Sequence, residues 1–196
     1  MSLDKATLSK LPVFQGVTDQ QIIYVTQAEH LVLFEQQLRN INCVGFDTES
    51  KPTFQKGEPQ TGPHLIQIAT ADYSFLFPAT QFAQAVLQAL LANPHILKVG
   101  FGLQNDKRLL HRHQLQLNAT FDLSRQFKHL GYNNPVGIQT AVALVFQQYL
   151  AKSHRVTLSN WSQQPLSLMQ KRYAANDAYA SLKIYLALQQ EKVKSN

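Results

Sequence analysis

Cysteine is almost absent from this chain of 196 residues: Cys43 stands alone. No internal disulfide can form, so the fold must rest on its own core, and no thiolate cluster is available to bind zinc. Cys43 falls in an apolar stretch and reads as a small core residue. Long hydrophobic runs are missing too. None approaches the roughly 18 residues of a membrane-spanning helix, and the N-terminus has no signal-peptide core. Repeats, low-complexity tracts and linker-like boundaries are equally lacking, which leaves a soluble, cytoplasmic chain as the expectation, with an N-terminal extension over residues 1–21 and a single domain over 22–196. Acids are scarce as well. Twelve Asp and Glu against 18 Lys and Arg give a net charge of +6, a field that attracts phosphates but does not by itself identify a polyanion as partner.

What is present is an ordinary globular composition, 44% apolar, enough for a substantial core. Ile22, Ile23 and Val25 suggest a short strand, and residues 28–38 have the spacing of an amphipathic helix. An apolar strand over 41–46 runs out at Asp47-Thr48-Glu49. Residues 51–63 are rich in Lys, Gln, Gly and Pro and read as a loop leaving directly from those acids. Two alternating stretches, 64–70 and 73–77, read as a hairpin. Thr80 is placed to cap a helix running to about 91, with Phe82, Val86, Leu87 and Leu90 turned inward. A further strand at 96–101 turns at Gly102 into a helix over 103–113. Helices are expected at 122–130, at 139–150 and at 167–190. Locally paired strands followed by strands separated by helices predict an α/β domain with a mixed sheet.

Asp47 and Glu49 lie two residues apart, so in a strand their carboxylates share one side. Two acids converging on one point repel unless a hard cation such as Mg²⁺ or Mn²⁺ lies between them, although a solvated rim has the same composition. Asp106 sits in the first turn of the helix after Gly102, the ordinary place for a dipole-matching acid. Asp177 is less ordinary, lying in the Ala-rich segment Tyr173-Ala174-Ala175-Asn176-Asp177-Ala178-Tyr179, where an acid needs a partner. Tyr173 precedes it by one helical turn on the same face.

Taken in order, these segments resemble the DEDD superfamily of 3′–5′ exonucleases, in the DEDDy branch that includes ribonuclease D and the Werner-type exonuclease domain. The likeness runs over residues 22 to 190. It is carried by Val44-Gly45-Phe46-Asp47-Thr48-Glu49, by Leu65-Ile66-Gln67-Ile68-Ala69 on the next strand, by Lys98 through Leu110, and by Tyr173 to Asp177 after Ser159-Asn160-Trp161-Ser162. The sister branch carries a histidine five residues before the last acid; Arg172 is here, so the chain resembles the tyrosine type. Many relatives have an aromatic directly after the first Glu, whereas Ser50 follows here.

The resemblance implies a ribonuclease H-like mixed sheet of antiparallel hairpin strands and parallel strands, flanked by helices. It implies hydrolysis at the 3′ end of single-stranded DNA or RNA with two divalent ions, Mg²⁺ or Mn²⁺. Carried over by position, Asp47 touches both metals, Glu49 and Asp177 complete the water-activating site, Asp106 holds the second, and Tyr173 orients the water. Thr48, Lys51, Phe54, Asn105 and Lys107 are candidate substrate contacts, with Lys56, Lys98 and Arg108 as further cations. Lysines and arginines of this kind are more often solvated surface charges, Phe54 is equally a loop residue folded on the core, and Trp161 reads as a packing anchor rather than a base platform. Two rivals remain at this level: a catalytically silent nucleic-acid-binding module and an endonuclease on the same fold. RNA and DNA are not distinguished.

Overall fold

A computed structural model describes residues 5–194. The first four residues of the expected N-terminal extension lie outside that range. After a short helix α1 (Lys5–Leu8), the elements are β1 (Ile22–Tyr24), α2 (Ala28–Leu38), β2 (Cys43–Glu49), β3 (Leu65–Ala69), β4 (Ser74–Pro78) and α3 (Gln84–Ala92). They continue with β5 (Leu97–Gly100), α4 (Gln104–Arg112), β6 (Thr120–Asp122), α5 (Ile138–Phe146), α6 (His154–Thr157) and α7 (Leu168–Lys194). The six strands form one sheet in the order β1-β4-β3-β2-β5-β6. β3 is antiparallel to both of its neighbours, while the pairs β1–β4, β2–β5 and β5–β6 are parallel. The expected mixed sheet, hairpin and flanking helices are therefore present.

Side-chain alternation divides β2 between two layers. Val44 and Phe46 point to one face and join Phe34 of α2, Ile66, Ile68, Phe75, Phe77, and Leu87, Leu90 and Leu91 of α3 in a dry core. Gly45, Asp47 and Glu49 point to the other face, which α7 covers. There the packing surface is small: Ala174, Ala175 and Ala178 are fully buried. A Cβ on Gly45 would stand 1.9 Å from the Ala178 carbonyl oxygen, so only glycine lets α7 lie this close to β2. That contact places Asp177 beside the strand that carries Asp47 and Glu49.

Several expectations are corrected. Residues 122–130 do not form an α-helix. Asp122 instead ends the edge strand β6, whose partner is β5, and two 3₁₀ turns follow at Leu123–Arg125 and Lys128–Leu130. The helix expected from Thr80 begins only at Gln84, and Phe82, ahead of it, is exposed rather than inward. Helix α5 stops at Phe146 because Gln147 is left-handed (φ 52°), and Tyr149 is then drawn into a bridge with the N-terminal arm, donating to the Pro12 carbonyl and accepting from Phe14 N–H. The same arm reaches α7: Val17 N–H donates to Asn176 Oδ1 at 3.1 Å, and Arg172 forms a two-pronged pair with Asp19.

Candidate active site

β5 pairs with β2 only as far as Gly45, so Asp47 and Glu49 extend beyond the point where β5 turns away toward α4. At its last residue, Gly100, β5 still lies close against β2, since a Cβ there would meet the Phe46 carbonyl oxygen at 2.4 Å. The turn itself passes through Gly102 at φ +67°. Asp122 fixes the turn: its Oδ1 accepts from Gly102 N–H at 3.1 Å and from Ser124 N–H at 2.9 Å. α4 starts two residues on and delivers Asp106, which is buried and accepts from Thr48 Oγ1 at 2.5 Å. The chain thus brings acids from β2, α4 and α7 together at the C-terminal end of the interior strand β2.

One carboxylate oxygen from each of Asp47, Glu49 and Asp177 lies within 4.8 Å of the others. Asp106 stands outside this trio but close enough to raise the pKa of Asp47. Burial is the largest influence on all four acids and moves each upward. Asp47, pressed in addition by Asp177, Glu49 and Asp106, stands well above the ordinary aspartate range. Glu49 is pushed up to about 8, by burial first and then by Asp177. For Asp106 the Thr48 hydroxyl works in the opposite direction. Negative charges packed this tightly favour protonation unless a cation compensates them.

One such cation belongs to the chain. Lys152, just beyond α5, sets its Nζ 2.5 Å from Asp177 Oδ2 and 4.5 Å from the centre of the Tyr173 ring. Burial opposes its charge, yet Asp177 and then Tyr173 hold the ammonium above the ordinary lysine range. The Tyr173 hydroxyl lies 2.9 Å from Thr157 Oγ1, and the ring leans on buried Trp161. Burial and the nearby Asp177 raise its phenol above the usual value. Trp161 is the packing anchor its position suggested.

The candidate substrate contacts divide. Phe54 is 76% exposed on the 51–63 loop, free of the core. Lys51 pairs with Glu58 at 3.6 Å, and Glu58 also accepts from the backbone of Phe54 and Gln55, so the loop has internal order. Asn105 and Lys107 are exposed on the first turn of α4, where Asn105 accepts from Arg108 at 2.6 Å. Lys98 is excluded as a phosphate contact. It is fully buried on the face away from the acids, and its Nζ donates to the carbonyls of Asn93 and Leu90. Lys152, Asp122 and Thr157 were not singled out from sequence. The usable signal for Lys152 was charge balance, since four acids at one site call for a buried cation.

A family model described as 3'-5' exonuclease matches residues 22–192. The chain belongs to this family. A 3'-5' exonuclease of Arabidopsis thaliana is 31% identical over 153 residues, covering 76% of this chain and 53% of that one. Ribonuclease D of Haemophilus influenzae is 33% identical over 137 residues, covering 67% and 33%. The chain therefore spans about half or less of the length of these curated relatives. Among solved structures, the Nibbler EXO domain of Aedes aegypti matches with a TM-score of 0.75 at 23% identity, covering 93% of this chain and 94% of that one. That likeness speaks to the ribonuclease H-like exonuclease fold, and the fold agrees with the one the sequence motifs implied. Within the exonuclease family's matched segment lie all four acids, Tyr173 and Lys152.

Proposed function

We propose that this chain is a metal-dependent 3′–5′ exonuclease that hydrolyses the terminal phosphodiester of single-stranded DNA or RNA and releases nucleoside 5′-monophosphates. The observation that carries the proposal is the convergence of Asp47, Glu49 and Asp177 within 4.8 Å of one another, with Asp106 buried alongside. An all-carboxylate donor set suits a hard cation, Mg²⁺ or Mn²⁺. Bound there, two such ions supply the charge that makes water nucleophilic at neutral pH and steadies the leaving oxygen. Asp47, Glu49 and Asp177 would hold such a cation, and Asp106, which accepts from Thr48, would contribute a fourth carboxylate beside them.

Around that chemistry the side chains position and shield. Tyr173, whose raised pKa keeps it a neutral phenol at pH 7, holds the attacking water in line rather than removing its proton. The water oxygen bonds to phosphorus as one of its protons passes to solvent, the P–O3′ bond breaks with its electron pair on O3′, and O3′ takes up a proton, so the shortened strand ends in a 3′-hydroxyl while the released nucleotide keeps the phosphate. Lys152 adds a fixed positive charge on the Asp177 side. Phe54 offers a face for an unpaired base, which suits strands without fixed sequence, and Lys107 a phosphate contact.

The test is cleavage of matched 5′-labelled single-stranded DNA and RNA oligomers with Mg²⁺ or Mn²⁺, beside an EDTA control and a circular strand. The expected result is a ladder shortening from the 3′ end, abolished by EDTA and absent from the circle. Binding without cleavage would transfer the assignment to a silent nucleic-acid-binding module, and cutting of the circle would make it an endonuclease.

A further inference from the structure

Gln67 is 0% exposed, and neither its Oε1 nor its Nε2 has a hydrogen-bond partner. A buried amide group left unpaired is destabilising, and an apolar side chain of the same length would avoid that cost. The register identifies what the amide faces. Gln67 lies opposite Asp47 on β2 and Leu76 on β4, and its neighbours along the same face of β3 are Leu65 and Ala69. Above it α7 contributes the fully buried Ala174 and Ala175, which share a cluster with Leu65, Leu76 and Trp161. Of the four sheet neighbours, only Asp47 has a polar side chain. Cβ atoms of directly opposed residues stand roughly 4.5–5.5 Å apart, a gap that a carboxylate and a glutamine amide can span between them.

Asp47 is short of a donor in turn. Among the described residues none donates to its carboxyl, whereas Asp106 receives Thr48 Oγ1 and Asp177 receives Lys152 Nζ. We propose that Gln67 is a positioning residue: its Nε2, unpaired in the metal-free chain, is placed to donate to the opposite Asp47 carboxylate once a cation fills the site, and so to hold that carboxylate toward the ion. The proposal rests on the reading of the acid cluster as a divalent-cation site. A ligand carboxylate free to rotate loses both affinity and geometry, which is why the groups that orient ligands are typically worth ten- to a hundredfold in metal binding.

The experiment titrates Mn²⁺ by calorimetry into the wild type, Gln67→Met, Gln67→Asn and Asp47→Asn, each also melted in EDTA. Gln67→Met keeps the length and removes the amide; Gln67→Asn keeps the amide and withdraws it by one methylene. Both are expected to bind Mn²⁺ at least tenfold more weakly and to lower kcat with an unchanged KM for the oligomer. The Met variant should melt in EDTA at or above the wild-type temperature, because two unpaired polar atoms are gone. Wild-type Mn²⁺ affinity in either Gln67 variant overturns the assignment and leaves the metal-site reading standing. Failure of the wild type to take up Mn²⁺, or equal uptake by Asp47→Asn, overturns that reading and the role of Gln67 with it.

Discussion

The two faces of the sheet are built from the same strands under opposite rules. Toward α2 and α3, the ring of Phe34 meets Phe75 and Phe77 edge-on with centroids 4.9 Å away in both cases, and Phe46, Tyr73 and aliphatic side chains surround them. Even Lys98, the one buried charge there among the described residues, is matched by carbonyl oxygens at the end of α3. Toward α7, the strands present Gly45, Asp47, Glu49 and Gln67, and the helix answers with alanines. The first face maximises apolar contact. The second accepts converging carboxylates and an unpaired amide, and that is the pattern expected where stability is given up for a site.

This division can be broken at either layer. The largest loss of stability should come from Phe34→Ala, which opens a cavity in the dry core and is expected to cost about 3–5 kcal/mol in chemical denaturation. Nuclease activity per folded molecule should survive it. Tyr173→Phe should do the reverse, lowering turnover by about a hundredfold through a misplaced water while Mn²⁺ affinity and the melting point stay close to wild type. A parallel loss of Mn²⁺ binding would remove Tyr173 from its positioning role. Gly45→Ala should be the exception that joins the faces. Its methyl group displaces α7 from β2, and we expect about 1–3 kcal/mol of destabilisation together with reduced turnover.

The smallest effect is the pH dependence without metal. Glu49 rises from an ordinary 4.5 to about 8 in the folded chain, and Asp47, Asp106 and Asp177 move in the same direction. Between those values the folded chain binds protons more tightly than the unfolded one, so this contribution to stability is complete below about pH 4.5 and is lost as pH rises through about 8. In EDTA, the melting temperature should therefore fall from pH 5 to pH 8, and Glu49→Gln should flatten the slope. Added Mn²⁺ should raise the melting point most at the alkaline end, where protons compete least. A slope unaltered by Glu49→Gln would mean that other groups set it.

Much of the fold was readable because periodicity carries it. Residues 28–38 were predicted as a helix and are one to the residue, since their apolar spacing leaves no other face to bury. The hairpin of β3 and β4 was equally plain. β6 was not, because three residues within a polar stretch have no period of their own, and pairing with β5 decides them. At the site, the acids of β2, α4 and α7 could be named from sequence only through the family resemblance of their segments taken in order, since each alone reads as an ordinary rim or helix acid. Lys152 and Asp122 could not. Lys152 comes from an irregular segment and Asp122 from the end of a three-residue strand, and only the folded chain brings them to Asp177 and to the Gly102 turn. Gln67 was hidden for another reason: in a strand alternating as Leu65-Ile66-Gln67-Ile68-Ala69 it looks like an outward polar residue, and only the cover of α7 makes it a buried one.

The contrast between the faces is tested most directly by Asp47→Asn, measured twice on one preparation: 3′-end cleavage with Mn²⁺, and melting in EDTA at pH 8. The account expects cleavage to fall by at least about a thousandfold, some 4 kcal/mol of transition-state stabilisation. Melting should be unchanged or higher, because a carboxyl held among other acids has become neutral. Retained cleavage, or a melting point that drops together with the activity, would contradict it and return Asp47 to the structural core.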